Sequence, residues 1–305
     1  MANSVRVLTI VAALVTTLGA ADSTPGAFSV AVLRRDGVLI PFAVFNGKRW
    51  GHSWPEPRLD LTVPITLQNV PKGWWGPTPP LDSWQAWTGA APQPLRVVQP
   101  DWVDVHCVRQ IGLRTDYRPD RPVPPSTEQP YPKDGLAIAP PQRLERIDVL
   151  PPEATDVRSL LSPVHEAFNR AERRVADHPI KRRSREGIEP TLEAVYAYGT
   201  SPRVFYVESV RMYRPIGGTE CEAAAFGTGW FVRDSGGVRP LAMTVDVMRC
   251  DRYRASYMLP FGVLRLDNRL FWVAQFSGWD HERYVVVEIK AKSAEAVVSV
   301  WGGGC

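Results

Sequence analysis

The run Met258-Leu-Pro-Phe-Gly-Val-Leu-Arg-Leu266 is followed by Asp267-Asn268 and then by Leu270-Phe-Trp-Val-Ala-Gln-Phe-Ser277. Two apolar runs that meet at a short polar turn predict an antiparallel hairpin. Segments of the same character occur throughout the region beyond Gly187: Leu192–Tyr198, Val204–Tyr213, Ala223–Arg233, Val238–Arg249, Arg283–Lys290 and Ala296–Trp301. Because short turns and no helical pattern separate them, they predict a mainly β fold and exclude a parallel α/β architecture.

The chain after residue 26 opens with a similar pattern. Phe28–Arg34 and Val38–Phe45 are apolar runs on either side of Asp36-Gly37, and Asn46-Gly47 follows the second run. Asp-Gly and Asn-Gly favour hairpins because both central residues of a type I′ turn need positive φ. A β-meander is therefore predicted. The antiparallel sheets are expected to form either a propeller-like ring or a two-sheet sandwich.

Proline and tryptophan dominate the region between residues 51 and 100. Proline fixes φ and removes a backbone donor, so these segments are predicted to be loops that pack through their indoles, interrupted by short strands such as Leu61–Leu67 and Leu95–Gln99. Five loop tryptophans are expected to form an exposed aromatic surface: Trp54, Trp74, Trp75, Trp84 and Trp87. A second proline-dense segment, from Arg118 to Pro141, is predicted to be a long exposed connection.

One amphipathic helix is predicted near residues 155–177. Thr155 and Ser162 are candidate N-caps, and Pro163 suits the first helical position. An apolar stripe at helical spacing marks the face to be buried: Val164, Phe168, Ala171 and Val175. We interpret the basic run Lys181-Arg-Arg-Ser-Arg185 as a solvated linker, with an anion contact or a processing site as the alternative.

The first 21 residues have the features of a secretory signal peptide. Arg6 precedes an apolar run from Val7 to Gly19, and the small residues Gly19 and Ala21 fit cleavage after Ala21. The run is too short to span a bilayer, and no second apolar span follows it. An exported protein is predicted, in the periplasm or outside the cell, with no transmembrane span after cleavage.

Four cysteines follow the signal peptide. An even number in an oxidising compartment predicts two disulfides. Cys221 and Cys250 flank two predicted adjacent strands, so we pair them, and Cys107 with Cys305 follows by elimination. The spacing shows no Cys-x2-Cys motif that would indicate a metal site.

The predicted organisation has four parts. They are a signal peptide (1–21), a β-meander with Pro- and Trp-rich loops (22–150), a helix with a basic linker (151–190) and an antiparallel β region (191–305). The second and fourth parts are also compatible with one continuous fold.

The composition and motifs exclude several classes of function. The chain has 305 residues, of which 44% are hydrophobic, and a formal net charge of only +4, which argues against nucleic-acid binding. It has no nucleophile elbow, phosphate-binding loop or dinucleotide fingerprint. His165-Glu166 begins a zinc-protease pattern, but Asn169 stands where the second histidine is needed. We therefore predict no metal and no cofactor.

The densest group of potential ligand-binding residues lies in one predicted turn and its flanks: Gln275, Trp279, Asp280 and Glu282. Trp74 and Trp75 are a second candidate, because indoles provide flat surfaces on which ligands stack. We expect a non-enzymatic binding or structural protein that contacts a protein or a carbohydrate. The alternative is a secreted glycan-active hydrolase with Asp280 or Glu282 as one acid, although neighbours on one strand rarely flank a glycosidic bond. No catalytic residue and no oligomeric state are assigned.

Overall fold

A computed structural model describes residues 26–58, 65–78, 80–89, 91–181, 185, 187–214 and 220–305. The predicted signal peptide and part of the basic run lie outside these residues. The N-terminal strands are β1 (Phe28–Arg34), β2 (Val38–Phe45), β3 (Trp50–Gly51), β4 (Ser83–Trp87), β5 (Pro92–Val105), β6 (Val108–Thr115) and β7 (Lys133–Ala139). Helix α1 spans Thr155–Glu172. The later strands are β8 (Asp148–Val149), β9 (Thr191–Tyr198), β10 (Arg203–Tyr213), β11 (Ala223–Asp234), β12 (Gly237–Met248), β13 (Tyr257–Leu266), β14 (Arg269–Ser277), β15 (His281–Ile289) and β16 (Ala294–Gly304). The mainly β, antiparallel fold class with a single α-helix in the described ranges is confirmed.

Six of the N-terminal strands close into a barrel. Their order is β1-β7-β4-β5-β6-β2, and β2 pairs back with β1 to complete the ring. Alternate side chains of the six strands meet inside, and several of them are alanines: Ala31, Ala86, Ala137 and Ala139. Small side chains suit a narrow interior, and closure removes the free edges of the sheet. The propeller and sandwich alternatives are not confirmed, since neither included a closed barrel.

Two barrel strands occupy segments for which loops were predicted, so those predictions are wrong. β4 lies in the Pro- and Trp-rich region, and β7 lies inside the expected exposed connection. Pro132 and Pro140 bracket β7 without entering it, so the residues between them keep their backbone donors for pairing. β7 pairs with β1 on one side and β4 on the other, and its last four residues are buried.

The C-terminal strands form two further sheets, of which one packs on the barrel and the other on the first sheet. Strands β13-β14-β15-β16 form a four-stranded sheet, and β12-β11-β10-β9-β8 form a five-stranded one. One face of the four-stranded sheet packs on the barrel wall, where the ring centroids of Phe42 and Tyr284 are 5.4 Å apart. Its other face packs on the five-stranded sheet, where the ring centroids of Trp230 and Trp272 are 5.0 Å apart. Burial on both faces explains the nearly continuous apolar runs of β14 and β15.

Helix α1 covers the other face of the five-stranded sheet, but its ends differ from the prediction. Neither predicted N-cap caps it, because Thr155 is already its first residue and Ser162 lies inside it with Pro163. Val157 and Leu160, which precede that proline, are buried against the sheet. Their burial offsets the hydrogen bond lost at Pro163. The helix also ends at Glu172, before the predicted residue 177.

Both predicted cysteine pairs lie within disulfide-bonding distance. Cys107, in the β5–β6 turn, and Cys305 have Cα atoms 5.0 Å apart, and those of Cys221 and Cys250 are 6.0 Å apart. The two pairs point to an oxidising environment. Among the described helical residues, no segment has both the length and the apolar character needed to cross a membrane.

Candidate functional site

The turn between β14 and β15 carries an unusually exposed aromatic side chain. Trp279 is 69% exposed and Tyr253 is 55% exposed, and their ring centroids are 5.2 Å apart. The N–H of Gly278 donates to the carbonyl of His281 at 2.9 Å and closes the turn. A Cβ at Gly278 would lie 2.4 Å from the His281 ring, so a larger residue there would require that ring to move. We call Tyr253 and Trp279 the aromatic pair.

The aromatic pair borders a groove made of two adjoining hollows. The outer hollow has a volume of about 380 Å³ and is lined by the aromatic pair, Asp251, Arg252 and Ala255. The inner hollow has a volume of about 270 Å³ and is lined by Tyr131, Lys133, Met258 and Gln275. Three residues line both hollows: Pro130, Tyr257 and Ser277. The groove therefore joins the start of β7 to the ends of β13 and β14 that lie beside it.

A buried polar cluster centred on Glu282 adjoins the inner hollow. Its Oε2 accepts from Lys133 Nζ at 2.9 Å and from Gln275 Nε2 at 3.3 Å, and its Oε1 accepts from the Tyr284 hydroxyl. Lys133 Nζ also donates to the carbonyl of Tyr131 at 2.6 Å. Burial lowers the pKa of Lys133 against the opposing effect of Glu282, and burial raises the pKa of Tyr284 well above its ordinary value. The carboxylate charge is thus compensated inside the protein.

Gln275 leaves one polar atom unused at the inner hollow. The side chain is 2% exposed, and its Oε1 is buried with no hydrogen-bond partner among the described residues. Its Nε2 is directed to Glu282, which as a carboxylate can only accept, and this fixes the orientation of the amide. An unpaired buried acceptor costs about 1–3 kcal/mol. A ligand that donates a hydrogen bond to Oε1 would recover that free energy.

The structure separates the two acidic residues of this turn. Asp280 is half-exposed, and its hydrogen bond with His281 Nδ1 at 2.8 Å holds its pKa below the ordinary value. Glu282 is fully buried and surrounded by its own hydrogen-bond donors. The two carboxylates therefore lie in different environments, one half-exposed and the other buried. Glu282 has no open side from which it could approach a glycosidic bond.

The tryptophans of the N-terminal loops lie elsewhere. Trp54 packs on Trp74 and Trp75 at centroid distances of 5.5 Å and 5.4 Å, and its Nε1 donates to the Ile111 carbonyl at 2.9 Å. Trp54, Trp75 and Trp84 are at most 4% exposed, so the expected exposed surface is wrong for these three. They fill interior space that the barrel alanines leave open. Within the described residues, neither Trp74 nor Trp75 lines the groove.

Several groove residues were not predicted from the sequence. Tyr253 and Tyr257 lie in the segment between Cys250 and the middle of β13, where no strong sequence motif indicates a binding site. Lys133 follows Pro130 and Pro132 in a segment predicted to be exposed. Its chemical environment depends on Glu282, which is 149 residues away in the chain. Only Gln275 and Trp279, which share one hairpin, were both predicted and brought together in the groove.

Neither metal clusters nor relatives point to a function. In the part of the chain that the structure describes, no three His, Cys, Asp or Glu side chains are grouped so that they could hold a metal ion. Comparison with protein-family models, curated proteins and solved structures gives no match. A proposal of function therefore rests on the geometry of the groove.

Proposed function

We propose that this chain is an exported, non-enzymatic protein that binds a carbohydrate in the groove beside Tyr253 and Trp279. The main support is the buried, unpartnered Oε1 of Gln275 at the inner hollow, close to an exposed aromatic pair. Ligand sites commonly combine apolar surface with a few well-placed polar atoms, and this groove has both.

The aromatic pair suits one face of a sugar ring. The C–H groups of a pyranose pack on flat aromatic rings, while its hydroxyls project from the edge of the sugar ring. The planes of Tyr253 and Trp279 are tilted by 40°, so a bent chain of two sugar rings can contact both side chains. Tyrosine and tryptophan also keep a polar group at the edge of the apolar surface.

The polar groups of the groove suit the hydroxyls of the same ligand. Gln275 Oε1 can accept from one hydroxyl, and the Asp251 carboxylate can accept from another. Arg252 donates from Nη1 to Glu193, which positions the guanidinium at the outer hollow. A guanidinium has five N–H donors, so Arg252 can serve a ligand as well.

The alternatives receive less support from the same geometry. A specific protein partner commonly covers about 800 Å² on each side, which the aromatic pair alone does not provide. The hydrolase hypothesis takes Asp280 or Glu282 as one acid, and Glu282 is buried and ion-paired with Lys133, which leaves Asp280 as its one candidate of the two. Export is supported by the two cysteine pairs, because disulfides persist in oxidising compartments.

Isothermal titration calorimetry with chitohexaose, cellohexaose and maltohexaose tests the proposal. We expect one of them to bind, and Trp279→Ala to weaken that binding by about tenfold, because the main stacking surface is lost. Val98→Ala is the matched control, since Val98 is 54% exposed on β5 and lies outside the groove. The proposal fails if the wild-type protein binds none of the three sugars, or if Trp279→Ala binds as tightly as the wild type.

A further inference from the structure

A second cavity lies on the helix side of the five-stranded sheet, apart from the groove. It has a volume of about 330 Å³ and lies between α1, β10, Arg185 and residues 187–189. Its charged and polar lining consists mainly of His165, Asn169, Arg173, Arg185, Glu189 and Arg211. His165 and Asn169 are spaced four residues apart on α1, and Arg173 follows its last residue at the same spacing, so the three side chains share one face.

Arg211 forms a rigid wall of this cavity. Its side chain is buried, and it donates from Nη1 to Glu172 and from Nη2 to Asn169, both at 2.6 Å. Its guanidinium carbon also lies 4.9 Å from the centre of the Phe168 ring. Glu172 accepts a further hydrogen bond from the Tyr213 hydroxyl. The charge of Glu172 is therefore satisfied locally, and the guanidinium is held in one orientation.

Three buried donor atoms of the lining have no hydrogen-bond partner among the described residues. They are Arg211 Nε, Arg185 Nε and His165 Nε2. Buried polar atoms are normally paired, so three unpaired atoms around one cavity call for an explanation. Both arginine atoms are obligatory donors, and His165 Nε2 donates in one neutral tautomer and when the ring is protonated. A ligand that only accepts hydrogen bonds would satisfy all three.

The charge of the lining favours an anion. Once Arg211 and Glu172 are paired, Arg173 and Arg185 face the single carboxylate of Glu189. We propose that the cavity binds a small oxyanion, a carboxylate or phosphate group, through His165, Arg185 and Arg211. Guanidinium groups match the planar geometry and charge of such oxyanions. Arg185 belongs to the basic run for which an anion contact was the alternative interpretation, and the cavity is large enough for a small organic acid.

Thermal unfolding with inorganic phosphate, succinate or sodium chloride at equal ionic strength tests this proposal. We expect phosphate or succinate to raise Tm in a saturable way, and chloride to leave it unchanged. Arg185→Gln should weaken the apparent affinity by about tenfold, the loss of one charge-assisted hydrogen bond. Arg249→Gln is the control, because the Arg249 side chain is 91% exposed and outside the cavity. A preference between the two anions identifies the group that the site takes.

Two more variants, Arg211→Lys and His165→Gln, test the other two side chains of the proposed site. Arg211→Lys retains the charge opposite Glu172 but removes the Nε–H donor, and it should also bind the anion more weakly. If Arg211→Lys does not fold, Arg185→Gln and His165→Gln carry the test, since both side chains lie at the rim of the helix–sheet contact. The proposal is overturned if neither anion raises Tm, or if Arg185→Gln and His165→Gln both bind as the wild type does.

Discussion

Two of the aromatic clusters of this molecule are built from similar residues and have opposite exposures. Trp54, Trp74 and Trp75 pack together over the apolar interior of the barrel. Tyr253 and Trp279 project into solvent beside a groove whose inner end adjoins buried charged groups. Both clusters occur in short connecting segments rich in polar residues or proline. The comparison shows that an indole in a loop is buried when a closed barrel leaves space to fill.

The side chains that lie below each cluster differ as well. Below the N-terminal cluster are alanine, leucine and valine side chains of the barrel strands. Next to the C-terminal pair are Lys133, Gln275 and Glu282, which satisfy one another except at Gln275 Oε1. The first arrangement stabilises the fold through apolar burial, whereas the second leaves one buried polar acceptor without a partner among the described residues.

The sharpest test of this comparison replaces one tryptophan in each cluster by alanine. Trp75→Ala should lower the free energy of unfolding by about 3–5 kcal/mol, because it leaves a cavity in the barrel. Trp279→Ala should change it by no more than about 0.5 kcal/mol, since that ring is mostly exposed. Urea-induced unfolding of both variants measures the difference. Equal losses would show that the two clusters do not have the separate roles described above.

The second test removes the cation from the buried cluster beside the groove. Lys133→Met should lower the free energy of unfolding by about 3–4 kcal/mol, because Glu282 is left buried without its ion-pair partner. In the double variant Lys133→Met/Glu282→Met, much of this loss should be regained, since no charge then remains buried. Chemical denaturation of the single and double variants checks this. A double variant no more stable than the single one would contradict the assignment.

The third test concerns Glu208, whose carboxylate accepts the backbone N–H of groove residue Met258 at 2.6 Å. Burial raises the pKa of Glu208 to about 7, above the ordinary value of 4.5. Its protonated form therefore stabilises the fold below about pH 4.5, and this contribution is lost as the pH rises through about 7. The pKa difference corresponds to about 3 kcal/mol at most.

Glu208→Gln isolates that contribution, because glutamine keeps the acceptor and does not titrate. The free energy of unfolding of the wild type, minus that of the variant, should fall by up to about 3 kcal/mol between about pH 4 and about pH 8.5. Denaturation curves at both pH values provide the measurement. A difference that is independent of pH would mean that Glu208 titrates near its ordinary value. The surroundings of its carboxylate beside Met258 would then not disfavour the charged form.

The local sequence pattern was sufficient to predict the C-terminal strands but not the closed barrel. The predicted Val204–Tyr213 and Leu270–Ser277 match β10 and β14 to within a residue, because each alternating or apolar run has its hairpin partner next to it in the chain. Barrel closure requires β1 to pair with β7, which is remote in sequence and enclosed by prolines. Short alanine-rich strands such as β7 carry little β propensity of their own.

The same distinction applies to the candidate site. Gln275 and Trp279 could be predicted because a single hairpin brings them together. Lys133 and Tyr253 could not, since each depends on a contact between distant segments. The indoles of Trp75 and Trp84 were misassigned because their burial follows from barrel closure, which the sequence pattern did not indicate.

The Cys107–Cys305 bond gives the protein a link between thiol chemistry and the shape of its groove. The backbone N–H of Cys305 donates to the carbonyl of Asp280 at 2.8 Å, one residue from Trp279. The bond therefore clamps the β14–β15 turn against the β5–β6 turn of the barrel. Reductant would free one side of that clamp, so the hold on the turn that carries Trp279 depends on the redox state of the surroundings as well as on packing.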